Sequence, residues 1–475
     1  MSTAAAIAKN TVFISFGEIG TRIFSFLLVV AIARYLGDIG LGAFAFAFAF
    51  TDLLLNLADL GMPMYIAREI AKNKQSASAY LSNVLGLRLL IFPLMLIAGL
   101  AFAFLTGART QETWLVIMLA TAGTGLSFLT DPFRMVFLAH ERGAYYSTLI
   151  IFERLMFTAA GLVLLLKGYG LVPVLVTFVI AQFVSLLTTS YVVRKKFADF
   201  SIKFDRKFIF TTVKNSLPFG ISNFLRMIYQ RLDTLMISAF AGFAATGWYG
   251  AAYRITESLR FIPLVVVNAV FPAMSRLHTQ SKDYVKALYE KTFYYMLIAA
   301  LPMAVGLNMV ASRVILFFYG QQFSPSIIAL QLLVVAEALL FLHYIMGFLL
   351  NAIDKQHLFT IVTAIYAAAN VVLNLIFIPK YSYVGAGTVA VITQAIAVVT
   401  LYYLCTKNGY GLNLPKLILK PAAAALAMAA VLIALKGVHL LIAVPVAAAA
   451  YAATLFIVKG IGKEEIDVIR KIITH

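Results

Sequence analysis

Residues Arg194–Lys214 read RKKFADFSIKFDRKFIFTTVK, and seven of these 21 residues are Lys or Arg. Nothing else in the chain interrupts the apolar pattern with so much charge. Six hydrophobic segments precede the stretch and six more follow it before a final two, and the two sets of six resemble each other. The stretch therefore reads as the seam of a duplicated membrane protein. Its charge fixes the side of the membrane it faces.

Composition outside the seam agrees. The 475 residues are 62% hydrophobic and 12% charged, with a mean hydropathy of +0.92. Globular proteins carry about 25% charged residues, so a soluble domain is excluded. Apolar runs recur at the length, about 20 residues, that crosses a hydrocarbon core of about 30 Å. Fourteen spans are expected: 11–35, 40–62, 79–106, 113–139, 144–166 and 171–193, then 211–241, 246–275, 289–312, 327–352, 358–378 and 384–405, then 416–435 and 439–458. The run GAFAFAFAF, Gly42 to Phe50, alternates like a strand. An open strand in lipid leaves its backbone unpaired, so the run is read as helix. The opening MSTAAAIAKN lacks a basic segment and a cleavage site, so the first span is expected to be retained. A single cysteine, Cys405, allows no internal disulfide and no metal cluster.

Loop charges set the orientation. With the N-terminus in the cytoplasm, the loops on that side hold 24 Lys and Arg and the opposite loops hold six. This asymmetry predicts both termini inside and the seam cytoplasmic. It also accounts for the net charge of +18 through the anionic inner leaflet, with no need for nucleic acid.

The repeat can be read from polar positions. Gly37-x4-Gly42 followed by Thr51-Asp52 matches Gly242-x4-Gly247 followed by Thr256-Glu257 at an offset of 205. Ala139-His140-Glu141-Arg142 matches Ala352-Ile353-Asp354-Lys355 at 213, and Val179-Ile180-Ala181-Gln182 matches Val391-Ile392-Thr393-Gln394 at 212. Six spans per repeat give both halves the same orientation, one of the plans of secondary transporters. The expected organisation is all-α and polytopic. It comprises a six-helix bundle at 1–195, a basic cytoplasmic linker at 196–210, a second six-helix bundle at 211–405, and two further helices with a tail at 406–475. The two bundles are expected to be pseudo-symmetric.

The segment GFLLNAIDKQHLFTIVTAIYAAANVVLNLIFIPKYSYVGAG at 347–387 resembles polysaccharide-biosynthesis membrane proteins, especially in its Asn370-x3-Asn374 pair and IPKY…GAG. So do ARYLGDIGLGAF and LADLGMPMYIAREIAK in the first two spans, and the run Asp233–Leu277. The resemblance covers nearly the whole chain and belongs to the multidrug/oligosaccharidyl-lipid/polysaccharide exporter superfamily. It is strongest toward flippases of undecaprenyl- or dolichyl-pyrophosphate-linked oligosaccharides. It implies a cell-membrane protein, with glycan polymerases or glycosyltransferases as partners and a central cavity lined by spans 1, 2, 7 and 8.

A phosphate-bearing substrate needs fixed cations, and the guanidinium fork suits it. All eight intramembrane cations are Arg: Arg22, Arg88, Arg134, Arg154, Arg226, Arg231, Arg254 and Arg260. Intramembrane charge is costly and marks function by default. Arg22, Arg226, Arg254 and Arg260 fall in the cavity spans that the resemblance implies and are the substrate candidates. Asp52 and Glu257, equivalent in the repeat, are candidates for ion coupling or for pairing with a nearby Arg. Glu18 before Arg22, Asp131 before Arg134, and Glu257 beside both Arg254 and Arg260 have the spacing of same-face pairs. Tyr319, Tyr381 and Tyr383, at span ends, read as an interfacial belt. No nucleotide loop, metal cluster or nucleophile–base arrangement is visible, so neither an enzyme nor a cofactor is expected. The alternatives are a cation-coupled multidrug exporter and a non-transporting scaffold.

Overall fold

The computed structural model describes residues 3–105 and 110–460. Arg109, Lys463, Arg470 and Lys471 of the charge count lie outside the described residues, as does the side chain of Lys9. No strand occurs among the described residues, and the chain forms two compact units, Met1–Gly250 and Ala251–His475. The first holds α1 (Thr3–Asp59), α2 (Met62–Lys72), α3 (Ala77–Leu105), α4 (Gln111–Ala139), α5 (Gly143–Leu166), α6 (Leu171–Lys196) and most of α7 (Arg206–Leu259). The second holds α8 (Phe261–His278), α9 (Lys282–Pro302), α10 (Ala311–Tyr319), α11 (Ser326–Ala352), α12 (Gln356–Lys407), α13 (Leu414–Ala434) and α14 (Leu440–Ile457).

Ten helices are long and apolar enough to cross a membrane among the described residues, or eleven if the bent α9–α10 pair is one span. Three of these stretches run 48, 53 and 52 residues, each long enough for two crossings. Spans 1 and 2 are thus one helix with a break rather than two helices with a loop, as are 7 and 8, and 11 and 12. The breaks sit at Gly37 (φ 73°), Gly242 (φ 81°) and Ser382 (φ 55°). Positive φ is the region glycine enters without a Cβ clash. Gly37 and Gly242 are the residues that open the repeated Gly-x4-Gly motif. The alternating run is helical, as the bilayer argument requires. Phe44 and Phe48 lie 4.5 Å apart on one face, while Phe46 and Phe50 meet Phe102 of α3 at 5.5 and 3.7 Å.

The ninth span differs from expectation. α9 runs through a π-helical turn, Met303–Leu307, into α10, with a bend of 71°. Pro302 has no N–H to give the carbonyl one turn earlier. That carbonyl, on Ile298, instead accepts from the Tyr451 hydroxyl of α14 at 2.9 Å. The bend also corrects the aromatic belt. Tyr319 is buried against Phe323, with centroids 5.5 Å apart, whereas Tyr381 is exposed.

Charge pairs fasten the first unit internally. Arg88, fully buried, donates to Asp59 and to the Phe128 carbonyl and lies over the Phe128 ring at 4.2 Å. Arg134 bridges Asp131 at 3.3 Å, Glu153 of α5 and Ser185 of α6 at 3.1 Å, and Gln182 donates to Glu153 at 2.9 Å. These arginines are consumed by their partners, so structural pairing accounts for them. Glu153→Ala strands a buried guanidinium and should cost about 3–5 kcal/mol of stability. Replacing Arg134 and Glu153 together by apolar residues of similar size should cost far less. Thermal unfolding in detergent distinguishes the two outcomes.

Candidate functional site

α1 packs on α5 through one stripe. Ser147 donates to the Phe13 carbonyl at 2.6 Å and Thr158 to the Phe24 carbonyl at 3.2 Å. Gly17 and Gly20 let α5 approach, and Leu28 meets Gly161. At 100° per residue, Arg22 projects roughly 150° away from that stripe. It is exposed and makes no ion pair or hydrogen bond with another described residue. The expected Glu18–Arg22 pair is therefore absent, although Glu18 is one turn away.

Arg226 on α7 is likewise exposed. Its one described partner is neutral, the Asn223 side-chain oxygen at 3.1 Å. One turn further along, Arg231 pairs with Asp52 of α1 at 3.0 Å, with the two side chains 25% and 28% exposed. Asp52 thus has the ion-pair role weighed for it, with a partner that its helix face did not reveal.

In the second unit the two candidate arginines are compensated. Arg254 pairs with Glu257 at 3.1 Å, as the spacing predicts. Arg260 instead pairs with Glu337 of α11 and donates to the Tyr253 hydroxyl at 3.0 Å. The helix breaks between Leu259 and Phe261, so the expected same-face relation of Arg260 to Glu257 does not set its ion pair. Local sequence gives no sign of the Arg260–Glu337 pair, because the two residues lie 77 positions apart.

Two backbone-to-backbone contacts join α1 and α2 to α7 within the first unit. A Cβ on Gly42 would overlap the Phe243 carbonyl, and a Cβ on Gly247 would overlap the Asp38 carbonyl. Toward the other end of this leg, a Cβ on Gly61 would overlap the Gly220 nitrogen, and one on Gly220 would come 2.5 Å from the Leu60 carbonyl carbon. Gly42 and Gly61 are about 28 Å apart along a helix rising 1.5 Å per residue, close to the thickness of a bilayer core. Separately, an apolar cavity of about 660 Å³ opens in the second unit, among Leu259, Met303, Val310, Met428, Leu441 and Val444.

A sequence model of the family described as "Polysaccharide biosynthesis protein" matches residues 7–278. The chain is similar to the "Probable low-salt glycan biosynthesis flippase Agl15" of Haloferax volcanii. The two are 22% identical over 406 residues, covering 84% of this chain and 83% of that protein. Among solved structures it is similar to the lipid II flippase MurJ in an inward closed conformation. The TM-score there is 0.77 at 17% identity, over 94% of this chain and 98% of that one. It is also similar to an inward-facing multidrug resistance MATE family transporter of the MOP superfamily, with a TM-score of 0.68 at 16% identity, over 82% and 94%. At such identities the structural likenesses show the fold alone. That fold is a polytopic assembly of long apolar helices.

Proposed function

Because the chain belongs to the polysaccharide biosynthesis protein family, we propose that it is a flippase carrying a lipid-linked oligosaccharide across the cytoplasmic membrane. The attachment is a phosphate or pyrophosphate on an undecaprenyl- or dolichyl-type carrier, and the movement is alternating access. The protein is a multi-pass membrane transporter with both termini in the cytoplasm, as the loop charges favour. The observation that carries the reading is the state of Arg22 and Arg226. Every other intramembrane Arg sits within 4.0 Å of a carboxylate. These two are exposed, have no described acid and are available to a phosphate.

Two further features support it. The cavity beside α13 and α14 has the polarity of a hydrocarbon chain. The two glycine contacts are suited to closing the path at either end, so that each opens in turn. Arg254 and Arg260 contribute through their pairs with Glu257 and Glu337, and can reach an anion only if those pairs rearrange. Asp52 and Glu257 serve first as counter-charges. A role in ion coupling requires their pairs to Arg231 and Arg254 to open. The driving force is then an ion gradient, the membrane potential or the substrate's own gradient.

The test is transport by the purified protein in liposomes, with two cargoes. A fluorescent pyrophosphate-lipid-linked oligosaccharide should cross without ATP, and a lipophilic cationic dye should not. Movement of the dye but not the glycolipid would replace this reading with that of a multidrug exporter.

A further inference from the structure

The basic linker is not slack. Phe197 packs on Phe137 and Tyr145 at 5.3 and 5.7 Å, and Phe200 packs on Phe133 at 4.9 Å. Beyond them the backbone is tied to α3. Ser201 donates its N–H to the Ser82 hydroxyl at 3.1 Å, Lys203 to the Ser82 carbonyl at 3.1 Å, and Asp205 to the Asn83 side chain at 2.8 Å. Gly86 lies beneath the Lys203 carbonyl, where any Cβ would collide. The strap is fixed over its length, so its outward side chains form a preformed surface.

That surface has an unusual composition for a segment held so firmly. Ile202 is 70% exposed, Phe204 48% and Phe210 70%. Between and beside them, Lys195, Lys196, Lys203, Arg206 and Lys207 are all exposed. The local acids are already used. Asp199 pairs with Arg194 at 3.7 Å, and Asp205 caps α7 by accepting from the Lys207 and Phe208 N–H groups at 2.9 and 3.1 Å. The strap joins the ends of two long apolar helices, at Lys196 and Arg206, so it lies at the boundary between hydrocarbon and water.

We infer that the linker is a docking surface for anionic lipid headgroups, with Lys203, Arg206 and Lys207 binding phosphates while Ile202, Phe204 and Phe210 enter the headgroup layer. Large apolar side chains interleaved with cations are what an interfacial segment needs, and the charge complements an anionic leaflet. A soluble acidic partner would be matched by the cations alone and would leave the three apolar side chains without a role. The inference goes beyond the flippase reading and does not depend on what is transported. It makes the linker between the two repeats sensitive to the lipid composition of the leaflet it faces.

Ile202→Cys gives a labelling site on the full-length protein, because the native Cys405 is buried. With an environment-sensitive fluorophore there, the protein is placed in nanodiscs carrying headgroup-level quenching lipids. One set is phosphatidylcholine alone and the other adds phosphatidylglycerol. Both leaflets of a disc have one composition, so the result does not depend on membrane orientation. Quenching should be about twofold or more stronger with the anionic lipid and should fall between about 0.1 and 1 M salt as the charges are screened. Exchanging Lys203, Arg206 and Lys207 together for Gln should remove the difference. Equal quenching in both discs, no quenching in either, or a difference that survives the triple exchange each overturns the inference.

Discussion

Replacing Arg22 and Arg226 by alanine should abolish glycolipid transport while leaving a protein that still inserts and unfolds at its normal temperature. A charge-assisted hydrogen bond is worth about 1.5–3 kcal/mol, so each exchange should weaken substrate binding roughly 10- to 150-fold. Lysine at either position should restore part of the loss, because a point charge keeps the attraction but not the two-pronged geometry. Folding should survive because neither side chain holds a described carboxylate. The same truncation at Arg260 behaves differently, since it strands the buried Glu337 and lowers stability. Adding Glu18→Ala to Arg22→Ala should change nothing further, as the two are not paired. Undiminished transport by the Arg22→Ala, Arg226→Ala protein would remove the phosphate site from this account.

Gly42→Val should prevent the α1 turn from closing on the α7 turn, and transport should stop. The added side chain meets a backbone carbonyl, which no rotamer change can move aside. Gly250→Ala, where a Cβ would touch only the Ala45 Cβ at 3.5 Å, should be tolerated. That spacing also supplies the measurement. It falls in the range of a disulfide, about 3.5–4.5 Å between Cβ atoms, so Ala45→Cys with Gly250→Cys should oxidise readily and lock the contact. Transport should fail in the oxidised protein and return on reduction. Adding Gly42→Val should suppress the disulfide. Full transport by the cross-linked protein would show that this contact does not open during the cycle.

The helical character of the chain was legible because a bilayer leaves few choices. Long apolar runs must become helices, and polar positions recurring at one offset stand out against them. The Gly-x4-Gly motif was visible too, although only the structure shows that its first glycine breaks the helix and its last admits another backbone. Helical spacing found Asp131–Arg134 and Arg254–Glu257, which lie within one unbroken helix. It failed for Arg260, just past a break, and it gave no sign that Asp52 would meet Arg231 from a different helix. Periodicity reports which face a residue occupies, not which helix lies opposite. Tyr319 was misread for a related reason. The end of a span is the membrane surface only if the helix runs straight, and α10 turns away by 71°. Of the four arginines selected in the sequence, the two without a described acid could not be singled out, because Arg22 has Glu18 one turn away and does not pair with it, whereas Arg260 finds its acid 77 residues along the chain.

The contacts at Gly42 and Gly247 carry a historical implication. Residues 38 and 42 correspond to 243 and 247 in the repeat, so Gly42 on Phe243 and Gly247 on Asp38 are one contact with the roles exchanged. Exchange of this kind is what a two-fold axis imposes on a pair of identical chains. A half-length ancestor with a single Gly-x4-Gly turn can make both contacts with a second copy of itself. Duplication would then have inherited a working interface rather than invented one. While the copies were identical, every substitution struck both sides at once. Fusion would end that constraint and leave the two equivalent acids free to find different partners, Asp52 with Arg231 and Glu257 with Arg254.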